Sequence, residues 1–368
     1  MKFGISFLPD CEPSRRDAQN YYADALKLCR IADRAGMSAV KMTEHYLHPY
    51  GGYCPSPLAF LSAVAACTTR IRLMTGCILP VFHHPIGIAA ECAQLDAISG
   101  GRLDVGFARA YLPYEFEAFG IALDESRARF EASVDAVVRL WSEEKVSMET
   151  PYFAFSEVTN LPRPVQRPHP PILGAAVRAR QSFAWLGERG FGLLVTSSVT
   201  GLDSLTTGVR IYRESYAEQH HQGSPRVVLS LPLYIAPDER AAQREGHSFL
   251  DEYHRVWADA ADAWNRTESA DYPGYKGVAR AIRAARPAQM EAQRTVIIGT
   301  PDRVVDRLGE LLEVLSVDEI IWQVDFGQMP RSKSQRTLEM FLEHVAPRFA
   351  DRGTGAVEPI LTPSSPEA

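Results

Sequence analysis

The sequence predicts an α/β fold, a (β/α)8 TIM barrel with insertions, in a single domain over residues 1–350. Strand and helix signals alternate along the chain, and about eight strands with helices between them are typical of this barrel. In residues 71–111 a strand, a helix and a second strand follow one another; the first strand is apolar apart from Arg72 and Thr75 and shows no alternation, which indicates a parallel sheet buried on both faces. A doubly wound open sheet is the alternative, but no GxGxxG motif follows the first strand.

The N-terminal half of the chain contains four of the predicted strands. Gly36 follows the first helix at the position where a left-handed residue usually ends a helix, and Ser99-Gly100-Gly101 ends the third. The predicted strands are 2–8, 39–42, 71–79 and 103–107, and the predicted helices are 17–35, 57–68 and 86–98.

The C-terminal half has a less regular pattern. An amphipathic helix at 125–141 precedes a β-like insertion at 146–155 and a proline-rich stretch at 161–171. Residues 269–294 have no clear period and predict a mobile lid, whereas 351–368, rich in Pro, Gly, Ser and Thr, predict a disordered tail. Further strands are predicted at 172–174, 191–195, 227–235 and 319–324, and further helices at 178–189, 202–220, 238–268, 302–315 and 337–346.

The composition is that of a soluble globular enzyme, with 46% hydrophobic and 23% charged residues. A net charge of −6 argues against a surface for nucleic acid. The six cysteines form no CxxC pair, so we expect free thiols in a reducing compartment. No signal-peptide pattern and no apolar run of membrane length occur, so we expect a cytoplasmic protein that does not contact a membrane.

An arginine and a helix start both indicate an anion site on one face of the barrel. Arg109 stands just past the fourth strand, where the carboxyl ends of barrel strands form the active face. The helix after the fifth strand starts near Arg178 and Ser182, and helix starts present free N–H groups to anions. By itself Arg109 fits a salt bridge on the rim equally well, and the helix start fits solvated arginines. Together the two features favour a phosphate group.

Polar residues also follow the second and third strands. His45 is the best candidate for a general acid or base, although a single histidine at a strand end is more often structural. Glu44 is either its orienting partner or a buried carboxylate that accepts backbone hydrogen bonds. In Thr75-Gly76-Cys77 the glycine lets the backbone approach a flat ligand, or simply bends the strand. The loop histidines have no matching carboxylate cluster and there is no GxSxG motif, so neither a metal site nor a serine hydrolase is predicted.

Six motifs together resemble a single family. They are TEHY at 43–46, RIRLMTGCILPVFHHP at 70–85, LDAISGGRLDVGFARAY at 95–111, EFEAFGI at 115–121, RPVQRPHPPI at 163–172 and IGTPDRVVDRL at 298–308. Over residues 1 to about 348 the chain resembles the bacterial luciferase-like flavin-dependent monooxygenases. This barrel family also includes enzymes that use the deazaflavin F420.

The resemblance implies roles for individual residues. His45 matches a catalytic histidine near the reactive edge of the flavin, and Arg109 and Arg127 match arginines that bind the FMN phosphate. Gly76-Cys77 matches a dipeptide behind the isoalloxazine ring that is often joined by a cis bond. The catalytic residues are then His45 and Glu44, and the cofactor-binding residues are Thr75, Gly76, Cys77, Arg109, Arg127, Arg178, Ala179 and Ser182.

The implied activity is that of an FMNH2-dependent, two-component monooxygenase with a tailoring role in secondary metabolism. A separate flavin reductase supplies reduced FMN, which reacts with O2 to give a C4a-(hydro)peroxide that oxidises an apolar or aromatic small molecule. Closure of residues 269–294 excludes water. Tyr46 and Ala108 replace a histidine and a cysteine of the luciferases, so light emission is not expected. The residues expected near the substrate are Tyr46, His48, Tyr111, Tyr114 and Trp322.

The sequence is also compatible with two other functions, and it indicates a dimer. An F420-dependent oxidoreductase would transfer hydride without using oxygen. A non-catalytic binding subunit is the second alternative, although the presence of both His45 and Arg109 speaks against it. The resemblance also implies a dimer through the helices at 57–68 and 86–98, most simply a homodimer.

Overall fold

Eight parallel strands close into a barrel in the computed structural model, which describes residues 1–198 and 201–350. Each barrel strand pairs with the next one along the chain, and the last pairs with the first, so the open doubly wound sheet is excluded. The disordered tail predicted at 351–368 lies outside the described residues. The barrel strands are β1 (Lys2–Phe7), β2 (Ala39–Met42), β3 (Arg72–Thr75), β4 (Leu103–Phe107), β5 (Ile172–Ala175), β6 (Gly192–Thr196), β7 (Val227–Ile235) and β8 (Glu319–Asp325).

Helices surround the barrel, and several begin at a residue whose side chain caps the first turn. Asp17 accepts a hydrogen bond from the backbone N–H of Asn20, and Ser56 accepts one from that of Ala59. In the part of the chain that the structure describes, no helix combines the length and apolarity needed to cross a membrane. The helices are α1 (Ala18–Arg34), α2 (Pro57–Cys67), α3 (Pro85–Ile98), α4 (Pro113–Phe119), α5 (Ser126–Ser142), α6 (Arg180–Glu188), α7 (Leu202–Glu218), α8 (Glu239–Ala260), α9 (Val278–Ala284), α10 (Pro287–Ala292), α11 (Pro301–Val314) and α12 (Arg331–Met340).

The predicted elements differ from the observed ones mainly at their ends; the helix predicted at 337–346, for example, begins earlier, at Arg331. The strand predicted at 71–79 ends at Thr75, and the helix predicted at 238–268 ends at Ala260. The β-like insertion is a two-stranded antiparallel hairpin, Val146–Glu149 with Ala154–Val158. Short elements such as α4 and the strand Ile297–Gly299, which extends the sheet beside β7, have too few residues to show a period. Residues 269–294 contain α9 and α10, and their mobility stays a prediction.

The interior of the barrel has an apolar layer below a polar one. Successive residues of a strand point to opposite faces, so every second residue points inward. Ala39 and Ile321 point inward, so Lys41 and Gln323, each two positions later in the same strand, point inward as well. Lys41 and Gln323 line a cavity toward the carboxyl ends of the strands. The apolar layer consists of Ala39, Met74, Cys77, Leu173, Leu194, Val228 and Ile321.

Candidate active site

A cavity of about 310 Å³ lies at the carboxyl ends of the barrel strands. Its wall combines residues that follow β2 to β5 with residues of α5, α6, α8 and the segment 271–278. The fold thus gathers residues that are far apart in the sequence into one site. The predicted site residues that line it are Glu44, His45, Gly76, Cys77, Arg109, Tyr111, Arg127, Arg178, Ala179 and Ser182.

His45 is held by a carboxylate that sequence reasoning did not select. Its Nδ1 atom lies 3.0 Å from Oε1 of Glu115 on α4, and both side chains are buried. The same oxygen accepts a hydrogen bond from the backbone N–H of Tyr46 at 2.9 Å. Nε2 of His45 has no hydrogen-bond partner among the described residues. The imidazole can therefore exchange a proton with a ligand through Nε2 while Glu115 fixes its orientation.

Glu44 takes the second of the two roles that the sequence left open. Its Oε2 accepts a hydrogen bond from the backbone N–H of Leu79 at 3.1 Å. Its Oε1 accepts one from the Tyr46 hydroxyl at 2.6 Å and lies 2.7 Å from Nε2 of His83. Burial opposes a charge on His83, but the hydrogen bond to Glu44 and the charges of Glu44 and Glu91 together outweigh it, so the pKa of His83 is raised. The orienting partner of His45 is thus Glu115, and a catalytic role for Glu44 stays a prediction.

The Gly76-Cys77 peptide is cis and both residues line the cavity. A Cβ atom at Gly76 would collide with the aliphatic part of the Lys41 side chain, so glycine permits this close approach. Thr75, predicted to bind the cofactor, does not border the cavity. Its hydroxyl donates to the carbonyl of Gly106 at 2.9 Å and accepts from the Gly106 N–H at 2.7 Å. Its side chain therefore braces β3 against β4.

Arg109 and Arg127 place positive charge on the side of the cavity next to α5 and α6. Nη2 of Arg109 donates to the carbonyl of Asp271 at 3.1 Å, and the guanidinium lies 4.8 Å from the centre of the Tyr272 ring. Nη2 of Arg127 lies 3.5 Å from the hydroxyl of Ser182. Burial lowers the pKa of Arg109, and the charge of Arg127 adds to this effect. Two cations and a hydroxyl therefore lie around one part of the cavity.

This cluster fits an anion because one of its donors is unsatisfied. Nη1 of Arg109 is buried and has no hydrogen-bond partner among the described residues, and the Asp271 carboxylate is 3.8 Å away. A buried N–H without a partner is unfavourable, and a phosphoryl oxygen would satisfy it. Ala179 is the N-cap of α6 and Arg178 precedes it, so the start of this helix lines the same cavity.

Aromatic side chains form another wall of the cavity. Nε1 of Trp257 donates to the hydroxyl of Tyr111 at 2.8 Å, and Tyr111 donates to the hydroxyl of Tyr50 at 3.3 Å. The rings of Tyr50 and Trp257 are nearly parallel, 10° apart, with centres 6.1 Å apart. Tyr253 extends this wall. Such a surface suits a flat or apolar ligand.

Four of the five residues predicted near the substrate do not border the cavity. Tyr46 and His48 are not among its lining residues, and the ring of Tyr114 is 5.8 Å from that of His48. Trp322 lies on the outer face of β8 and packs against the residues that follow α12. Because strand residues alternate, Gln323 has the inward position instead, and the expectation for Trp322 is not met.

Sequence reasoning missed several residues of the site. Glu115 belongs to a motif that carries the family resemblance, but nothing local indicates that it reaches His45. Lys41 is the single charged residue of the short apolar strand β2, and this signal could have identified it. The other missed polar residues of the cavity include Ser6, Ser230 and Gln323.

Comparison with known proteins identifies the family. Residues 1–319 match the family model of luciferase-like monooxygenases. The chain is 28% identical to the oxygenase component of flavin-dependent trigonelline monooxygenase from Acinetobacter baylyi, covering 95% of this chain and 96% of that relative. F420-dependent glucose-6-phosphate dehydrogenase from Segniliparus rotundus is 26% identical, over 86% of this chain and 91% of that relative.

Two solved structures have the same fold over nearly their whole length. Monooxygenase RslO1 from Streptomyces bottropensis superposes with a TM-score of 0.85 at 37% identity, covering 95% of this chain and all (100%) of that chain. The oxygenating constituent of 3,6-diketocamphane monooxygenase from Pseudomonas putida, in complex with FMN, has a TM-score of 0.77 at 20% identity, covering 95% and 98%. The chain is therefore an enzyme of the luciferase-like monooxygenase family.

Proposed function

We propose that this chain is the oxygenase component of a two-component monooxygenase that binds reduced FMN and oxidises an apolar or aromatic small molecule. The observation that carries the proposal is the arginine cluster with its buried, unsatisfied Nη1 of Arg109, which suits a phosphate. The name of the trigonelline monooxygenase relative supports an oxygenase component, and the FMN complex of the diketocamphane enzyme supports the cofactor. A separate flavin reductase is the partner that this arrangement requires.

Specific residues would hold the cofactor. Arg109, Arg127 and Ser182 would bind its phosphate, together with the start of α6. Gly76 and Cys77 would lie beside the ring system, because they line the cavity and Gly76 has no side chain. When bound, reduced FMN supplies the activation of O2.

The residues of this chain would orient the reactants, hold or transfer a proton and exclude water. Nε2 of His45 would hold or transfer a proton, with Glu115 keeping the ring in place. Tyr272 and Tyr275, from the segment predicted as a lid, line the cavity, and the Tyr272 hydroxyl donates to the carbonyl of Ala110 at 3.0 Å. We infer that this segment opens to admit ligands and closes over them.

Anaerobic binding tests the cofactor assignment directly. The protein is titrated with reduced FMN and, separately, with F420, and we expect it to bind reduced FMN. Arg109→Ala should weaken this binding about 10- to 100-fold, because a charged hydrogen bond to the phosphate is lost. Arg210→Ala is the matched control, since Arg210 is exposed and paired with Glu214 on α7. Binding of F420 alone would instead establish the hydride-transfer alternative, which the F420-dependent relative supports.

Catalysis is tested with a flavin reductase, NADH and a panel of aromatic compounds. Oxygen-dependent product formation is expected from the wild-type protein and should be strongly reduced in His45→Ala. If reduced FMN binds but His45→Ala oxidises the substrate at the wild-type rate, the proton-transfer role is wrong. If neither protein turns over any compound, a non-catalytic binding subunit is favoured. Dimerisation through α2 and α3 stays a prediction.

A further inference from the structure

Lys41 is a buried cation near the base of the cavity. It lies within β2, opposite Ser6 of β1 and Met74 of β3, and only 6% of the residue is exposed. Its aliphatic part packs against Gly76, and its Nζ would lie 3.2 Å from a Cβ atom placed at that glycine. The side chain lines the cavity.

The ammonium group of Lys41 has no counter-ion within the described residues. It forms no ion pair or hydrogen bond there, and the neighbouring polar side chains, Ser6 and Gln323, are uncharged. The nearby thiol of Cys77 is buried, and burial raises its pKa to about 12, so it is neutral at pH 7. Burial likewise lowers the pKa of Lys41 to about 8. A buried charge without a partner is unfavourable, and proteins usually pair it.

The phosphate of the cofactor does not account for this cation. The phosphate cluster consists of residues that follow β4 or belong to α5 and α6, outside the barrel strands. Lys41 lies inside the barrel, four positions before His45, in the layer directly above the apolar floor. The cavity thus has two separate positive regions, one near its rim and one at its base.

We propose that Lys41, with Ser6 and Gln323 beside it, binds an anionic oxygen of the substrate, a carboxylate or an ionised phenol, at the base of the cavity. The assignment rests on the proposed function, because it places the substrate in this cavity. An ammonium in a low-dielectric site attracts an anionic oxygen far more strongly than it does in water. The hydroxyl of Ser6 can donate a further hydrogen bond to the same oxygen. The preferred substrate is therefore an aromatic or apolar acid.

Binding of a matched pair of probes to the flavin-free protein tests this assignment. The probes are 2-naphthoate and 2-naphthamide, which have the same shape and differ in charge, and calorimetry measures both affinities. Lys41→Met should weaken naphthoate binding about 10- to 100-fold and leave naphthamide binding unchanged, because a hydrogen bond between charged groups is lost. Lys41→Arg should retain part of the preference for the acid. Lys27→Met, at an exposed residue of α1, is the control and should bind both probes as the wild type does.

The pH dependence gives a second measurement that needs no variant. Naphthoate affinity should fall as pH rises through about 8, where the ammonium loses its proton, and naphthamide affinity should stay constant. Equal losses for both probes in Lys41→Met would show that Lys41 only fills space, and unchanged binding of both would also overturn the proposal. A loss of reduced-FMN affinity with naphthoate binding intact would assign Lys41 to the flavin instead. Because no turnover is measured, failure here is distinguishable from failure of the oxygenase function.

Discussion

Nδ1 of His45 lies 3.0 Å from Oε1 of Glu115, a residue 70 positions further along the chain. His45 directly follows β2, whereas Glu115 lies on the short helix α4 after β4. The other carboxylate oxygen of Glu115 is buried without a hydrogen-bond partner among the described residues. The pair thus combines a proton-exchanging ring with a carboxylate that orients it, an arrangement used widely in general acid–base catalysis.

Glu115→Gln should reduce turnover more than it reduces ligand binding. The amide has nearly the same shape but lacks the charge that stabilises a protonated imidazole, so we expect kcat to fall about 10- to 100-fold. Steady-state kinetics with a saturating supply of reduced FMN measures this. Glu117→Gln, an exposed position on the same helix, is the control and should behave like wild type. An unchanged kcat in Glu115→Gln would remove the pair from the mechanism.

Asp271→Asn should tighten the binding of anions at the arginine cluster. The Asp271 carboxylate accepts hydrogen bonds from the backbone N–H of Arg127 at 3.0 Å and from the Ser126 hydroxyl at 3.1 Å, beside Arg109. A phosphate in this cluster would be repelled by the carboxylate, so we expect reduced FMN to bind several-fold more tightly after its neutralisation. Calorimetry at low and high salt measures the effect, with Asp203→Asn on α7 as the control. Weaker binding would show instead that Asp271 helps to form the site.

Gly76→Ala should destabilise the protein because the new methyl group collides with Lys41. We expect the free energy of unfolding to fall by about 1–3 kcal/mol, which is typical of overpacking. In a Lys41→Ala background the same substitution should lower the free energy of unfolding by clearly less, since the colliding atoms are absent. Urea denaturation of the four proteins measures this coupling. Equal costs in both backgrounds would contradict the proposed steric contact as the cause.

Lys41→Met should stabilise the ligand-free protein at pH 7. Burial lowers the pKa of Lys41 to about 8 from the ordinary 10.5, so folding works against the protonated amine. Below pH 8 the amine is protonated in both the folded and the unfolded state, and burying its charge lowers the free energy of unfolding by up to about 3 kcal/mol. Between pH 8 and 10.5 the folded state releases the proton first, so wild-type stability rises and the advantage of the variant shrinks. Denaturation at pH 7 and pH 10 measures this difference, and an advantage that grows with pH would be inconsistent with it.

Much of the barrel could be predicted because its strands have strong local signals. The strands at 39–42, 103–107 and 227–235 have the predicted boundaries, since each is mostly hydrophobic and begins directly after a polar residue. The helix predicted at 238–268 is too long because polar residues beyond Ala260 continue a helical pattern without packing as a helix. A strand as short as Ile297–Gly299 forms because it pairs with β7, and the local sequence carries no signal of that pairing.

By itself the sequence determined the order of strands and helices, the family resemblance and the residues that follow the strands, such as Arg109 and Gly76. These positions are readable because the carboxyl ends of parallel strands always meet on one face of a barrel. The contacts in the folded chain were needed to show that Glu115 orients His45 and that Gln323, not Trp322, points inward. A strand buried on both faces has no alternating pattern, so its inward residues cannot be identified until the barrel closes. Contacts between distant segments likewise exist only after the chain has folded.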